Sequence, residues 1–354
     1  MQSQGSPSLA LQAAIGWFTP MSLLEMTERG LYCSIGDFYI DPWRAVDRAI
    51  VTHAHSDHAR RGAASYLVPH DGVGLLKHRL GADIQVQGVQ YGEAINMHGV
   101  KVSLHPAGHI LGACMVRVEY QGLVWVFSGD YKTQYDPTCR GIEPVRCNVF
   151  ISESTFGLPI YRWQPSEVVM NDIHRWWKFN REHQQCSVIF AYSLGKAQRI
   201  LASLQGDVGP IGVHGAVHAL LPYYEEAGVR FPKYELIDTK DKGQLERFTQ
   251  GGMVIAPPSA NGSPWLAKFD DCATASASGW MTIRGPKRRA NVEAGFVLSD
   301  HADWPGLLET IHATGAERVG ITHGYVSTLV RYLREQGLDA YPIETQFKGD
   351  AAEE

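Results

Sequence analysis

Short apolar segments separated by turn residues fill the first half of the chain, and this pattern is typical of β-strands. The predicted strands are residues 37–40, 49–52, 65–68, 100–104, 115–120, 124–128 and 149–152. From Pro165 onward, helical spacing appears between the apolar runs. Helices are predicted over 165–182, with Ser166 as its cap, and over 195–204, and a strand is predicted over 187–192. Alternating elements continue to about residue 270, which favours a parallel α/β unit.

The end of the chain repeats this alternation. Strands are predicted over 295–298 and 318–322, and helices over 304–314 and 326–336. Asp303 suits the cap position of the helix at 304–314, because its carboxylate can accept hydrogen bonds from free backbone N–H groups. Pro305 fits the opening turn of the same helix, where no backbone N–H is needed.

The composition is that of a folded globular protein. Of 354 residues, 44% are hydrophobic and 10% are aromatic, which excludes a disordered chain. The 32 Lys and Arg residues against 37 Asp and Glu give a net charge of −5. This balance excludes a basic coat over the whole surface, although a local basic groove remains compatible with it. The six cysteines form no Cys-x-x-Cys pair, so we expect a reducing, cytoplasmic location.

Residues 1–20 are predicted to be an N-terminal extension ahead of a domain that begins near Met21. The apolar stretch at residues 9–18 is too short to cross a membrane. No Lys or Arg precedes it, which argues against a signal peptide. We therefore expect no membrane partner.

The densest chemical signal follows the strand predicted at 49–52. His53, His55, Asp57 and His58 place three imidazoles and a carboxylate within six residues. These groups together suit Zn²⁺, Mn²⁺ or Fe²⁺. Alternation at the strand end can point His53 and His55 to the same side, and a turn can aim Asp57 and His58 at a second ion. A polar turn that holds its histidines by chance is the alternative interpretation.

The His-x-His-x-Asp-His pattern at residues 53–58 resembles the signature of the metallo-β-lactamase fold. Other pieces of that family occur in the expected order. Asp41 resembles the strand-end aspartate that orients a ligand histidine, with Asp37 as the alternative. His109, in Ala-Gly-His, resembles the third-motif ligand, and Asp130, in Ser-Gly-Asp-Tyr, resembles the aspartate that bridges two metals.

Three motifs in the second half narrow the resemblance to the β-CASP nucleases, and in particular to bacterial ligase-associated DNA exonucleases, relatives of Artemis-type repair nucleases. Glu153, His301 and His323 lie in segments that resemble the first, second and third β-CASP motifs. The resemblance implies an α/β protein, in which a metallo-β-lactamase αββα sandwich carries an inserted β-CASP α/β domain. Residues 21–160 and 285–345 would form the sandwich, and residues 161–284 would form the insert.

The resemblance also implies a centre with two divalent metal ions, with Zn²⁺ as the expected metal and Mn²⁺ or Mg²⁺ as alternatives. The implied ligands are His53, His55, His109 and Asp130 for one ion, and Asp57, His58, Asp130 and His323 for the other. Such a pair can clamp the attacking and leaving oxygens of a phosphodiester. Asp57 would also orient the attacking hydroxide, and Asp41 would hold a ligand histidine. His301 beside Glu153 would act as general acid at the leaving 3′ oxygen.

Substrate contacts are predicted at three places. Ser193 and Lys196 lie at a strand–helix turn, where backbone N–H groups can bind a terminal 5′-phosphate; an ordinary turn is the alternative. The basic run of Lys287, Arg288 and Arg289 can contact a phosphate backbone or form a solvated loop. Trp280 can stack on a base or pack in the core.

The function expected from this resemblance is a metal-dependent DNA exonuclease of 5′ to 3′ polarity, active in repair on single-stranded or 5′-phosphorylated ends. A functional link to an ATP-dependent DNA ligase and a helicase is part of the same expectation. The alternative is a β-CASP ribonuclease, because eukaryotic DNA-acting members usually lack a histidine at the position of His323, whereas RNA-acting members have one. A small-molecule metallo-hydrolase is disfavoured by the inserted domain, and an inactive scaffold by the complete ligand set.

Overall fold

The computed structural model of the chain describes residues 22–283 and 291–346, which contain three β-sheets. The first sheet contains, in spatial order, β1 (Glu25–Thr27), β2 (Gly30–Cys33), β3 (Phe38–Ile40), β4 (Arg48–Ile50), β5 (Ser65–Pro69) and β6 (Val86–Val89). The second contains β19 (Asp339–Pro342), β18 (Arg318–Gly324), β11 (Val149–Ser154), β10 (Leu123–Phe127), β9 (Cys114–Tyr120), β8 (Val100–Pro106) and β7 (Ala94–Met97).

The third sheet is parallel throughout, and it contains β14 (Glu235–Leu236), β13 (Ile211–Val213), β15 (Met253–Ala256), β12 (Cys186–Phe190), β16 (Cys272–Ala277) and β17 (Ala294–Phe296). The described helices are α1 (Val73–Leu80), α2 (Ser166–Glu182), α3 (Lys196–Ser203), α4 (Gly215–His218), α5 (Leu221–Glu226), α6 (Lys242–Thr249), α7 (Trp304–Thr314) and α8 (Val326–Glu335). Among the described helices, none is long and apolar enough to cross a membrane.

The first two sheets pack face to face over a shared apolar core. Ile40 and Ile50 of the first sheet lie in one buried cluster with Val116 and Phe127 of the second. The outer face of the first sheet is covered by α1, and that of the second by α7 and α8. Burial of apolar side chains on both faces of each sheet produces the predicted αββα sandwich.

The third sheet forms a separate α/β unit between β11 and β18. Helices α2 and α3 cover one face, where Trp177 and Ile200 are buried, and Phe248 of α6 is buried on the other. β17 pairs with β16 in this sheet, so the unit continues to Phe296. Phe296 lies beyond the domain boundary predicted at 284/285. That boundary and the predicted extension at 1–20 both lie outside the described residues.

The predicted elements agree with the structure except at a few ends. β3 begins at Phe38 because Asp37 has a φ of 52°, in the left-handed region. β4 ends at Ile50, two residues early, and the backbone N–H of Thr52 then donates to the Asp41 side chain. Ser166 does not cap α2; its hydroxyl instead accepts from Arg199, while Asp303 caps α7 as predicted. β1, β2, β6 and β7 were not predicted, since their segments are short or lack a clear apolar alternation.

Candidate metal centre

The candidate ligands lie where several strands of the two packed sheets end. The motif that holds His53 follows β4, and Asp130 follows β10. His109 follows β8, and His323 is the penultimate residue of β18. Because β4, β10 and β18 end at the same edge of the sandwich, residues far apart in the sequence meet there.

The structure brings all seven predicted ligands together in two adjoining groups. The first group contains His53, His55 and His109, and the second contains Asp57, His58, Asp130 and His323. Within each group the candidate ligand atoms lie within 4.8 Å of one another. All of these residues are buried except Asp57, whose side chain is 17% exposed. Asp57 is therefore the member of the cluster that solvent reaches most readily.

Asp130 lies between the two groups. Its Oδ2 atom is 3.6 Å from Nε2 of His53 and 3.4 Å from Nε2 of His58. The same oxygen is 4.0 Å from Nε2 of His109. A single carboxylate oxygen thus faces ligand atoms of both groups, which is the position required of a bridging ligand.

The backbone at Asp130 depends on the glycine before it. Gly129 has a φ of 56°, and a Cβ atom there would lie 2.7 Å from Cβ of Thr52. A side chain at this position would both strain the backbone and displace Thr52. His323 also has a left-handed φ of 59°, and such conformations in non-glycine residues concentrate at functional sites.

Asp41, rather than Asp37, orients one of the candidate ligand histidines. Its Oδ2 atom accepts a hydrogen bond of 2.7 Å from Nδ1 of His58. Thr52 donates to the same carboxylate twice, from its backbone N–H at 2.7 Å and from its hydroxyl at 2.6 Å. Asp37 instead contacts Tyr32 and Arg48 near the surface.

Two further candidate ligands are oriented by backbone carbonyl groups. His109 donates from Nδ1 to the carbonyl of Asp300 at 2.7 Å, and His55 donates from Nε2 to the carbonyl of Leu194 at 3.1 Å. A carbonyl oxygen can only accept, so these contacts fix both tautomers. The remaining ring atoms, Nε2 of His109 and Nδ1 of His55, then face each other with their lone pairs at 3.0 Å.

These residues fit a metal ion. Two lone pairs at 3.0 Å repel each other unless a cation lies beside them, and imidazole nitrogens are preferred ligands of Zn²⁺. Within the described residues, Nε2 of His53 and Oδ1 of Asp130 are buried and make no hydrogen bond. Buried polar atoms without partners are costly, and metal coordination would satisfy both.

The electrostatics of the two groups differ. Burial first, and then the neighbouring histidines, lower the pKa of His53 well below its usual value of 6.5. Burial acts in the same direction on His58, but the carboxylates around it, Asp57 foremost, raise the pKa of His58 well above that value. Burial would raise the pKa of Asp130, yet its interactions with the neighbouring histidines, His58 foremost, outweigh burial and lower that pKa well below its usual range.

His301 and Glu153 form a pair beside the ligand cluster. Nδ1 of His301 lies 3.0 Å from Oε2 and 3.1 Å from Oε1 of Glu153. The carboxylate is held in place by the backbone N–H of Tyr131, which donates to it at 2.6 Å. The ring of His301 is centred 4.7 Å from that of His109, so the pair borders the first ligand group.

The predicted substrate residues have mixed surroundings. Ser193 is half-buried, and Trp280 is half-buried with its ring centred 4.7 Å from that of Phe156. Lys196 is only 4% exposed, and its ammonium group lies 3.5 Å from Asp300 rather than in solvent. The ammonium group of Lys196 is thus already paired with a buried carboxylate, whereas the sequence predicted a contact with a phosphate of the substrate. Lys287, Arg288 and Arg289 lie outside the described residues.

Several supporting residues were missed by the sequence reasoning. Trp163 donates from Nε1 to the carbonyl of His301 at 2.9 Å and from its backbone N–H to Asp303 at 2.8 Å. Lys132, Arg199 and Asp300 form buried ion pairs beside His109. The available signals were a lysine two residues after Asp130, for Lys132, and a basic residue on an apolar helix face, for Arg199.

Comparison with other proteins finds relatives that are similar in sequence to all or part of the chain. No family model matches the chain. It is 32% identical over 317 residues to a protein of Opitutus terrae named "Probable DNA ligase", a match that covers 89% of this chain and 30% of the relative. It is 31% identical over 124 residues to cleavage and polyadenylation specificity factor subunit 3 of Dictyostelium discoideum, covering 34% of this chain and 16% of the relative.

A match to the endoribonuclease YSH1 of Saccharomyces cerevisiae is 30% identical over 134 residues and covers 34% of this chain and 15% of the relative. The chain thus spans less than a third of each of these curated relatives. A crystal structure of a protein of unknown function from Enterococcus faecalis has the same fold, with a TM-score of 0.58 at 12% identity over 84% of this chain and 79% of that one.

A sandwich of two sheets with a histidine and aspartate cluster at one edge, and an α/β unit inserted before β18, defines the class. This is the architecture of the metallo-β-lactamase-fold β-CASP proteins, which the chain also resembles in sequence.

Proposed function

We propose that the protein is a metal-dependent nuclease that hydrolyses phosphodiester bonds, and that its substrate is DNA. The observation that supports a hydrolytic metal centre is the pair of ligand groups joined at Asp130. One divalent cation would be held by the first group together with Asp130, and a second cation by the second group. Zn²⁺ is the proposed metal. When bound, two such cations polarise a phosphate and lower the pKa of a water molecule.

The chain's own residues carry the remaining steps of the proposed mechanism. Asp57, at the solvent side of the cluster, orients the attacking oxygen. His301 donates a proton from Nε2 to the leaving 3′ oxygen, because Glu153 holds its Nδ1 atom. Glu153 also stabilises the protonated imidazole, since an adjacent carboxylate favours the charged form.

DNA is proposed over RNA because of how the similarity is distributed. The match to the relative named as a DNA ligase extends over 89% of the chain, whereas the matches to the two RNA-processing proteins cover 34%. We propose 5′ to 3′ exonuclease action in repair, with a functional link to a ligase and a helicase. Contacts from Ser193, Trp280 and the basic run at 287–289 belong to the same proposal.

A β-CASP ribonuclease is the second candidate, and His323 is the observation that favours it. Its ring stacks on that of His58 at 5.5 Å, within the ligand cluster.

The test is a comparison of DNA and RNA of the same sequence. Purified protein with Mn²⁺ or Mg²⁺ is incubated with 5′-phosphorylated, 3′-labelled single strands, and an EDTA lane and the Asp57→Ala protein serve as controls. Progressive shortening of DNA from its 5′ end with RNA spared is the expected result. Preferential cleavage of RNA would instead identify the protein as a ribonuclease. If neither substrate is cleaved, the nuclease proposal is overturned.

A further inference from the structure

A buried charge cluster lies between the insert and the metal centre. Lys132, Asp136, Lys196, Arg199 and Asp300 are each at most 5% exposed. Nζ of Lys132 is 2.6 Å from Oδ2 of Asp136, and Nζ of Lys196 is 3.5 Å from Oδ2 of Asp300. Arg199 lies 3.6 Å from Oδ1 of Asp300, and Lys132 lies 3.8 Å from the same atom. Three cations therefore surround two carboxylates, with Asp300 at the centre.

The cluster joins separate parts of the fold. Lys196 and Arg199 belong to α3 of the insert, whereas Lys132 and Asp136 follow β10 of the sandwich. Asp300 lies between β17 and α7, on the segment that returns the chain from the insert. Arg199 also donates to the carbonyl of Ser299 at 2.6 Å. The side chains of one short helix thus hold the segment that carries Asp300.

The start of α3 is also pressed against the loop that carries His109. Gly195 has a φ of 100°, and a Cβ atom there would lie 2.3 Å from Cγ2 of Ile110. Only glycine permits so close an approach. Leu194, directly before it, supplies the carbonyl that accepts from His55.

Three contacts of this assembly end on metal-ligand candidates. Leu194 orients His55, and the carbonyl of Asp300 orients His109. Lys132 donates to the carbonyl of His109 at 2.9 Å. Two of the three histidines of the first group are therefore held by groups that the insert supplies or that its helix α3 fixes in place.

We propose that residues 194–199 of the insert are a positioning device for the first metal group, and that Lys196 and Arg199 act on His109 through Asp300. The inference rests on the metal-binding part of the proposed function and does not depend on the substrate. Groups that orient metal ligands tune metal affinity, and their loss costs about 10- to 100-fold. The affinity of the first group for a metal ion therefore depends on how α3 of the insert packs against the sandwich.

Lys196→Met is the sharpest test. It removes one of three cations, so two cations remain with two carboxylates, and no buried charge loses its only partner. Asp300→Asn is the second variant, and it leaves the carbonyl that accepts from His109 in place. Asn180→Ala is the matched control, because Asn180 is buried in the insert and hydrogen-bonds Ser187 without contacting the cluster.

Metal-free protein is titrated with Co²⁺, and binding is followed by visible absorption. We expect wild type and Asn180→Ala to bind two equivalents alike, and Lys196→Met to bind one of the two about tenfold more weakly. The weakened equivalent should keep its spectrum, as expected of a positioning role. If Lys196→Met and every folded Asp300→Asn sample bind both equivalents as wild type does, the inference is overturned and the nuclease proposal stands. If wild type binds no Co²⁺, the metal assignment itself is overturned, and the inference with it.

Discussion

Oδ2 of Asp41 accepts a 2.7 Å hydrogen bond from Nδ1 of His58, and this contact leaves Nε2 of His58 directed at the ligand cluster. We predict that Asp41→Ala weakens metal binding at the second group by about 10- to 100-fold. The change also removes the acceptor of the buried N–H of Thr52 and one partner of its hydroxyl, so the melting temperature should fall. Metal titration of the purified variant measures the first effect, and thermal melting measures the second. Asp37→Ala is the matched control, and equal metal loss in both variants would contradict the assignment.

Asp57→Ala should abolish cleavage without disturbing the fold. The side chain is 17% exposed, so its removal creates no sealed cavity, and its main contacts are with His58 and His323. Cleavage of end-labelled DNA measures activity, and circular dichroism checks folding. Asp83→Ala, which removes an exposed carboxylate from the pair with Arg61, should cleave at the wild-type rate. Wild-type rates in Asp57→Ala would exclude Asp57 from the reaction.

His301→Ala should slow the chemical step by about 10²- to 10⁴-fold, the usual contribution of a general acid, and retain both metals. Glu153→Gln should slow it less, because the amide can still accept a hydrogen bond from the imidazole. Single-turnover rates and metal content are measured on the same preparations. A candidate ligand atom of His301 lies within 4.8 Å of those of His109 and Asp130, so loss of one metal equivalent would identify His301 as a ligand instead.

On acidification, the two ligand groups should lose their metal ions at different pH values. At neutral pH the metal-free His58 holds a proton, because nearby carboxylates raise its pKa well above 6.5, and that proton must leave before a metal binds. Affinity at the second group should therefore fall by about tenfold for each unit of pH lost below that pKa. His53 has a lowered pKa and stays neutral, so the first group should lose its metal only at a more acidic pH. Metal content after dialysis between about pH 8 and pH 5 measures the order, and simultaneous loss of both equivalents would contradict it.

The basic run of Lys287, Arg288 and Arg289 should contribute to DNA binding through charge alone. Replacing all three with Ala should weaken binding to every sequence and reduce the slope of log Kd against log salt by about one for each phosphate that is no longer neutralised. Fluorescence anisotropy with labelled single strands across a salt series measures both. An unchanged slope would return this run to the solvated-loop interpretation.

The ligand cluster could be predicted from sequence because its chemistry is local. Three histidines and an aspartate within six residues at a strand end signal a metal without any knowledge of the fold, and the order of His109, Asp130 and His323 after them follows a family pattern. The choice of Asp41 over Asp37 depended on that pattern as well, and the structure supports it with a direct hydrogen bond to His58.

The charge cluster around Asp300 could not be predicted in the same way. Lys196 looks like a phosphate ligand in the sequence, because a lysine at a helix start usually faces solvent. Its burial follows from the docking of α3 against the sandwich, a contact between residues about 100 positions apart. Tertiary contacts of this kind have no periodicity, and the apolar pattern of the helix predicts only which face is buried. The strand at 295–298 could be predicted, but its place in the third sheet could not, since its pairing with β16 decides that place.

Trp163 lies on the segment that enters the insert, and His301 and Asp303 lie on the segment that returns to the sandwich. The two hydrogen bonds of Trp163 therefore hold the two ends of the insert together. An insertion whose two ends are stapled together can be exchanged between hosts, because closing the gap needs little new chain. A chimaera that receives residues 165–297 from a relative should accordingly fold. The chimaera should bind metal at the first group as the parent does only if the donor insert supplies basic partners for Asp300. A substitution at those positions of the insert would therefore require a matching substitution in the sandwich.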